Sequence, residues 1–93
     1  MLIQEYMIIS GLNPFLVPLS SQFMAVHEHY GNMQIYFKAE EDDFAPMMSI
    51  EVEVVPACGN CPKEAEYVGT VGNNNDVYHV FIKEDNNVQT REI

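Results

Sequence analysis

Basic side chains are scarce in this chain of 93 residues, which has 4 lysines and arginines against 14 aspartates and glutamates. The formal net charge is therefore −10 at pH 7. Because DNA, RNA and anionic membranes attract lysine and arginine, this balance argues against direct binding to a nucleic acid or to such a membrane. We therefore expect neither nucleic acid nor membrane as a direct partner.

Long apolar runs are also missing. No run reaches the roughly 18 residues that a membrane-spanning helix needs. The start of the chain, MLIQEYMIIS, lacks the basic region and the small-residue cleavage site of a secretory signal. These absences lead us to expect a cytoplasmic protein. In that reducing compartment Cys58 and Cys61 are not expected to form a structural disulfide.

Patterns that carry catalysis are absent as well. The sequence contains no nucleophile motif, no pair of carboxylates in a buried setting and no glycine-rich loop of the kind that cradles phosphate groups. His79 is expected to stand opposite Thr70 on neighbouring strands, and we interpret it as a hydrogen-bonded strand residue rather than a general base. The sequence therefore predicts a protein that is not an enzyme and needs no cofactor.

Metal ligands are few and scattered. Cys58 and Cys61 have the spacing of a zinc knuckle or a redox pair, but a structural zinc site takes a fuller set of ligands and a redox pair needs a βαβ setting. His27 and His29 share one face of a predicted strand, and their candidate co-ligands are His79 or the cysteines. We predict no metal site.

Apolar and aromatic residues are plentiful, with 47% hydrophobic residues, 5 tyrosines and 5 phenylalanines. This composition predicts a folded chain rather than a disordered acidic tail, and the length suits a single domain over residues 1–93. The clearest strand is predicted at 47–55, because strict alternation is typical of a strand with one buried and one wet face. The alternating residues are Met48, Ile50, Val52 and Val54 against Ser49, Glu51 and Glu53.

Two hairpins are predicted from their turn residues. The hairpin over 66–84 turns at 73–76, where Asn and Asp tolerate positive φ. Its expected pairs are Val71–Tyr78, Gly69–Val80 and Tyr67–Ile82 on the buried face, and Thr70–His79, Val68–Phe81 and Glu66–Lys83 on the other. The hairpin over 22–39 turns at Gly31-Asn32 in type II′ geometry, because glycine stands first. Its expected pairs are Glu28–Ile35 and Val26–Phe37 on the core face, where the Glu28 carboxylate reaches solvent, and His27–Tyr36 outside.

Two segments precede these hairpins. Residues 2–9 are predicted to form a strand. Residues 11–21 contain Pro14 and Pro18, so we expect a connection that lays Phe15, Leu16 and Val17 over the core. Together the patterns predict an all-β fold, a small antiparallel barrel or sandwich of five to six strands with two hairpins.

The last hairpin also carries a resemblance. The segments 67–71, YVGTV, and 77–81, VYHVF, resemble the ending of a family of short all-β phage proteins that close on a G-T segment followed by V-[WY]-H-V-F. Similar upstream features are Val17-Pro18, residues 33–38 and residues 50–55, whereas the segment 57–62, ACGNCP, departs from the family. The resemblance implies a phage origin and an all-β fold, and it carries no activity.

Acidic side chains suggest how the protein acts. Glu51 and Glu53 are predicted on one face of a strand, roughly 6.5 to 7 Å apart by strand rise, and can imitate a row of backbone phosphates. The run Glu40, Glu41, Asp42 and Asp43 extends the negative charge. We predict that these six residues bind a basic surface of a host protein, as a phage accessory protein that mimics DNA in the host cytoplasm. Alternatives are a phage structural or assembly protein that pairs with another phage protein or forms a homodimer, a protein that sequesters a small molecule, and an acidic surface that only confers solubility.

Overall fold

A computed structural model describes residues 1–40 and 46–85, with backbone alone at Asp85. Within these ranges the chain forms seven β-strands and no helix, which confirms the all-β prediction. The strands are β1 (Leu2–Ile8), β2 (Gly11–Pro18), β3 (Gln22–His29), β4 (Asn32–Ala39), β5 (Met47–Pro56), β6 (Glu66–Asn73) and β7 (Asp76–Asp85).

The strands form two antiparallel sheets that pack as a sandwich, one of the two predicted architectures. Sheet A has the order β1-β4-β3 and sheet B the order β2-β5-β7-β6. The core between them is mainly aliphatic. Its buried members are Ile8, Val17, Met33, Ile35, Phe37, Met48, Ile50, Val52, Val54, Val71 and Val80. The alternation predicted for β5 is confirmed, since Met48, Ile50, Val52 and Val54 are buried while Ser49, Glu51 and Glu53 are half-buried on the outer face.

The proline-containing segment is a strand rather than the predicted connection. Strand β2 lies at the edge of sheet B and pairs only with β5, placing Pro14 opposite Glu51. A proline lacks the N–H that a neighbour on its other side would need, so an edge position tolerates it. Val17 is buried and Phe15 packs against the core, whereas Leu16 is exposed. This edge strand explains why the predicted number of strands was too low.

Asn13 fixes the point where the chain crosses from sheet A to sheet B. Its side chain is 7% exposed, and its Oδ1 accepts a hydrogen bond from the backbone N–H of Ile9 at 2.9 Å. Its Nδ2 donates to the carbonyl oxygens of Ile9 at 2.8 Å, Gly11 at 3.1 Å and Val52 at 3.0 Å. One amide therefore satisfies the polar backbone of the link between β1 and β2.

The first hairpin turns one residue earlier than predicted. Its turn residues are Tyr30 and Gly31, with φ of 51° and 82°, so the turn is of type I′ rather than type II′. The register therefore shifts by two residues, so that Val26 stands opposite Ile35 instead of Phe37, and a bulge at Met24 shifts it by one residue more. The observed pairs include Glu28–Met33, Val26–Ile35, His27–Gln34 and Phe23–Phe37. The Glu28 side chain is exposed, as expected, and its Oε2 accepts a hydrogen bond from the Gly31 N–H at 2.7 Å.

The second hairpin is correct near its turn and wrong near its base. Thr70 lies opposite His79 and Gly69 opposite Val80, as predicted. A bulge between Tyr67 and Gly69 then places Tyr67 opposite Phe81 and Glu66 opposite Ile82, and it turns Val68 toward the core. A Cβ on Gly69 would lie 2.7 Å from Val26 Cγ2, so this glycine allows β6 to approach β3.

Candidate functional site

Glu51 and Glu53 lie together on the outer face of β5, but cations accompany them. Glu51 is directly opposite Lys83 on β7. A cavity of about 200 Å³ on this face is lined by both glutamates and by Lys63 and Lys83. Two glutamates and two lysines give a formal charge of zero for this lining. The two carboxylates therefore share a mixed-charge surface.

The run of four acids is described only at its first residue. Glu40 is exposed just after β4, and its backbone N–H donates to Ser20 Oγ at 3.1 Å. Glu41, Asp42 and Asp43 lie outside the described residues. The hydrogen bond places Glu40 beside the turn between β2 and β3.

A second group of carboxylates stands beside that turn, around an opening between the sheets that we call the acidic cleft. Its volume is about 310 Å³, and strands of both sheets line it. The apolar lining residues are Phe23, Phe37, Met48, Ile50, Val68 and Ile82. The polar lining residues are Ser21, Gln22, Glu66 and Glu84. Among the described residues no lysine or arginine lines this cleft, so its formal charge is −2.

The bulge in β6 creates the acidic side of the cleft. Without it, Glu66 would stand opposite Lys83 on the outer face of sheet B, as the sequence predicted. With it, Glu66 is opposite Ile82, on the face that also carries Glu84 two residues along β7. Diagonal neighbours of this kind are about 7 to 8 Å apart. Both glutamates are exposed, at the end of the sandwich where the core gives way to solvent.

Ser21, one of the residues that line the cleft, has a hydroxyl oxygen without a hydrogen-bond partner among the residues described. This oxygen is buried. Buried hydroxyl groups are ordinarily hydrogen-bonded, so an unpaired one is an exception that calls for a partner. Ser21 and its neighbour Gln22 both line the cleft.

The histidines do not converge. His79 Nδ1 is 2.9 Å from Thr70 Oγ1, which is 2.5 Å from the Tyr67 hydroxyl, so His79 is the hydrogen-bonded strand residue that the sequence predicted. The His27 and His29 rings are exposed on sheet A, with centroids 5.9 Å apart. Cys58 and Cys61 are exposed free thiols. Over residues 1–40 and 46–85, no three or more His, Cys, Asp or Glu side chains form a group suited to a metal ion.

Tyr6 has a raised pKa, and its surroundings are those of a residue packed against the hydrophobic core. Tyr6 packs against Phe15 and Phe37, with ring centroids 4.9 and 6.0 Å away. Its hydroxyl donates to Gln4 Oε1 at 3.2 Å. Burial raises the pKa of Tyr6 above its usual value, because desolvation disfavours the phenolate.

A scan against protein-family models found no match, and neither did searches of curated proteins and of solved structures. The likeness to short all-β phage proteins therefore stays a prediction. In the described part of the chain, no helix has the length and apolar character required to cross a membrane.

Proposed function

We propose that this protein is not an enzyme and acts by binding, with acidic side chains that engage a basic surface on a partner protein. The observation that carries the proposal is the grouping of Glu40, Glu66 and Glu84, all exposed, at one end of the sandwich. A net charge of −10 reinforces the attraction. Such a field steers a basic partner into contact and repels nucleic acid.

The partner follows from the phage resemblance. In a phage setting the target is a host protein in the cytoplasm, and a host protein that handles DNA presents a basic surface. Glu51 and Glu53 imitate backbone phosphates less well than isolated carboxylates would, because Lys63 and Lys83 line the same cavity. We therefore assign them a secondary part in the interface and give the main part to Glu66 and Glu84.

The test is capture of a host protein from bacterial lysate on the immobilised protein, followed by titration of the purified pair. We expect binding to weaken steeply as salt shortens the Debye length from about 10 Å at 0.1 M to about 3 Å at 1 M. Single replacements Glu66→Lys and Glu84→Lys should weaken binding more than Glu51→Lys or Glu53→Lys. Glu5→Lys, on the outer face of sheet A, changes the net charge equally and serves as the control. A complex that is insensitive to salt contradicts the proposal.

A second candidate function is assembly with another copy or another phage protein, and strand β1 favours it. Ile3 and Met7 on this edge strand are 64% and 58% exposed. Edge strands usually carry proline, a bulge or charged side chains that prevent pairing, whereas β1 has no proline, no bulge and a single charged residue, Glu5. Sedimentation at increasing protein concentration tests this function. The protein should self-associate, and Ile3→Lys should abolish the self-association.

A further inference from the structure

We propose that the acidic cleft takes one apolar side chain of the partner, flanked in the partner's sequence by lysine or arginine. This inference rests on the proposed function, since it names the chemistry that the acidic end recognises. The occupant is thus a segment of a protein, and neither a free metabolite nor a second copy of this chain.

The floor of the cleft is apolar and belongs to both sheets. Phe23 and Phe37 come from sheet A, while Val68 and Ile82 come from sheet B. Ligand pockets range from about 300 to 1,000 Å³, and the cleft, at about 310 Å³, lies at the lower end. That volume suits a single aromatic or aliphatic side chain. Burial of that side chain against the floor supplies an anchor that does not depend on salt.

The rim selects the sign of charge beside that anchor. Glu66 and Glu84 are exposed on one face, and the described lining includes no cation to neutralise them. Lysine and arginine can lay their methylene stems along apolar surface while their charged ends meet carboxylates in water. An anionic ligand is repelled by the same pair. Charge complementarity therefore selects a basic segment.

Ser21 supplies a polar group for the backbone of that segment. Its buried Oγ can donate a hydrogen bond to a carbonyl oxygen or accept one from an N–H. A peptide that lays its side chain in the cleft brings both kinds of group close to the rim. A simple hydrophobic amine brings N–H donors but no carbonyl oxygen, whereas a peptide backbone brings both, so a peptide can pair with the Ser21 hydroxyl in either direction.

The experiment is a methyl NMR titration of the full chain with two synthetic five-residue peptides, capped at both ends. One has phenylalanine between lysine and arginine, and the other has serine in its place. We expect the phenylalanine peptide to shift the methyl signals of Val68, Ile82 and Met48, which line the cleft. The methyl signals of Ile8, a core residue that does not line the cleft, should stay unchanged. The serine peptide should bind at least tenfold more weakly. Equal binding of both peptides overturns the inference.

Charge variants separate this inference from the proposed function. The double variant Glu66→Gln, Glu84→Gln should bind the phenylalanine peptide roughly three- to tenfold more weakly. Glu51→Gln with Glu53→Gln changes the net charge equally and should have a smaller effect. If peptides bind in a salt-dependent way without shifting the cleft methyls, the cleft inference fails and the proposed function stands. If a salt-dependent host complex is also absent, both fail.

Discussion

Replacement of Asn13 by alanine tests how much one buried side chain, at the link between the two sheets, contributes to the stability of the fold. Asn13 Oδ1 accepts from the Ile9 N–H, and its Nδ2 lies within hydrogen-bond distance of three carbonyl oxygens. An amide nitrogen carries two hydrogens, so the side chain makes up to three full hydrogen bonds, one accepted and two donated. Alanine removes all of them and leaves the Ile9 N–H and the Val52 carbonyl oxygen without this partner.

The magnitude follows from these bonds. A typical intramolecular hydrogen bond contributes about 0.5 to 1.5 kcal/mol net, so Asn13→Ala should lower the free energy of unfolding by about 3 kcal/mol. A domain of this size has a total of roughly 5 to 14 kcal/mol. The melting temperature should fall by about 12 to 24 °C, at 4 to 8 °C per kcal/mol.

Urea unfolding followed by circular dichroism measures the loss. Asn60→Ala, in the exposed loop after β5, removes the same chemical group and should change the free energy of unfolding by less than about 0.5 kcal/mol. A loss below about 1 kcal/mol for Asn13→Ala would refute the reasoning, because it would mean that water or relaxed backbone replaces the amide.

Three further predictions concern stability. Burial raises the pKa of Tyr6, so the stability that the neutral phenol contributes is complete below the unfolded pKa of about 10 and is lost as pH rises through the folded pKa. Tyr6→Phe should therefore reduce the fall in the free energy of unfolding between pH 8 and 11, measured by urea unfolding. Gly69→Ala brings a Cβ to 2.7 Å from Val26 Cγ2 and should destabilise by about 1 to 3 kcal/mol, unlike Gly72→Ala, whose closest contact is 3.7 Å. Tyr30→Asn, at φ 51° in a type I′ turn, should raise the melting temperature.

Side-chain alternation predicted the interior of the fold well. Strand β5 is buried at each apolar position that the sequence marked, because alternation depends only on which face meets the core. The prolines of β2 were harder to interpret. Proline lacks a backbone N–H, and the sequence does not show whether a neighbouring strand needs an N–H at that position. Only the sheet order shows that β2 is an edge strand, and at the edge no neighbouring strand needs the missing N–H.

The bulge in β6 caused the error at the base of the second hairpin, and it is also why the acidic cleft was missed. The sequence predicted Glu66 opposite Lys83, which places it on the outer face of sheet B. A single extra residue at Val68 reverses the facing of everything before it, since the side chains of a strand alternate. The signal available in the sequence was Gly69, because an interior glycine in a strand often marks a bulge or a close approach. Both are present here.

The two candidate functions predict opposite responses to salt, and this decides between them. Attraction between an acidic end and a basic partner is screened by salt, so that complex weakens. Two copies of a chain with net charge −10 repel each other, and salt screens this repulsion while leaving apolar contacts along β1 intact. Self-association through Ile3 and Met7 should therefore strengthen between about 0.01 M and 1 M salt. Ile3→Lys should abolish it, whereas Leu16→Lys, at 60% exposure on the proline-protected edge of β2, should not. If both complexes weakened with salt, the apolar β1 edge would not be the assembly surface, because its contacts carry little charge of their own.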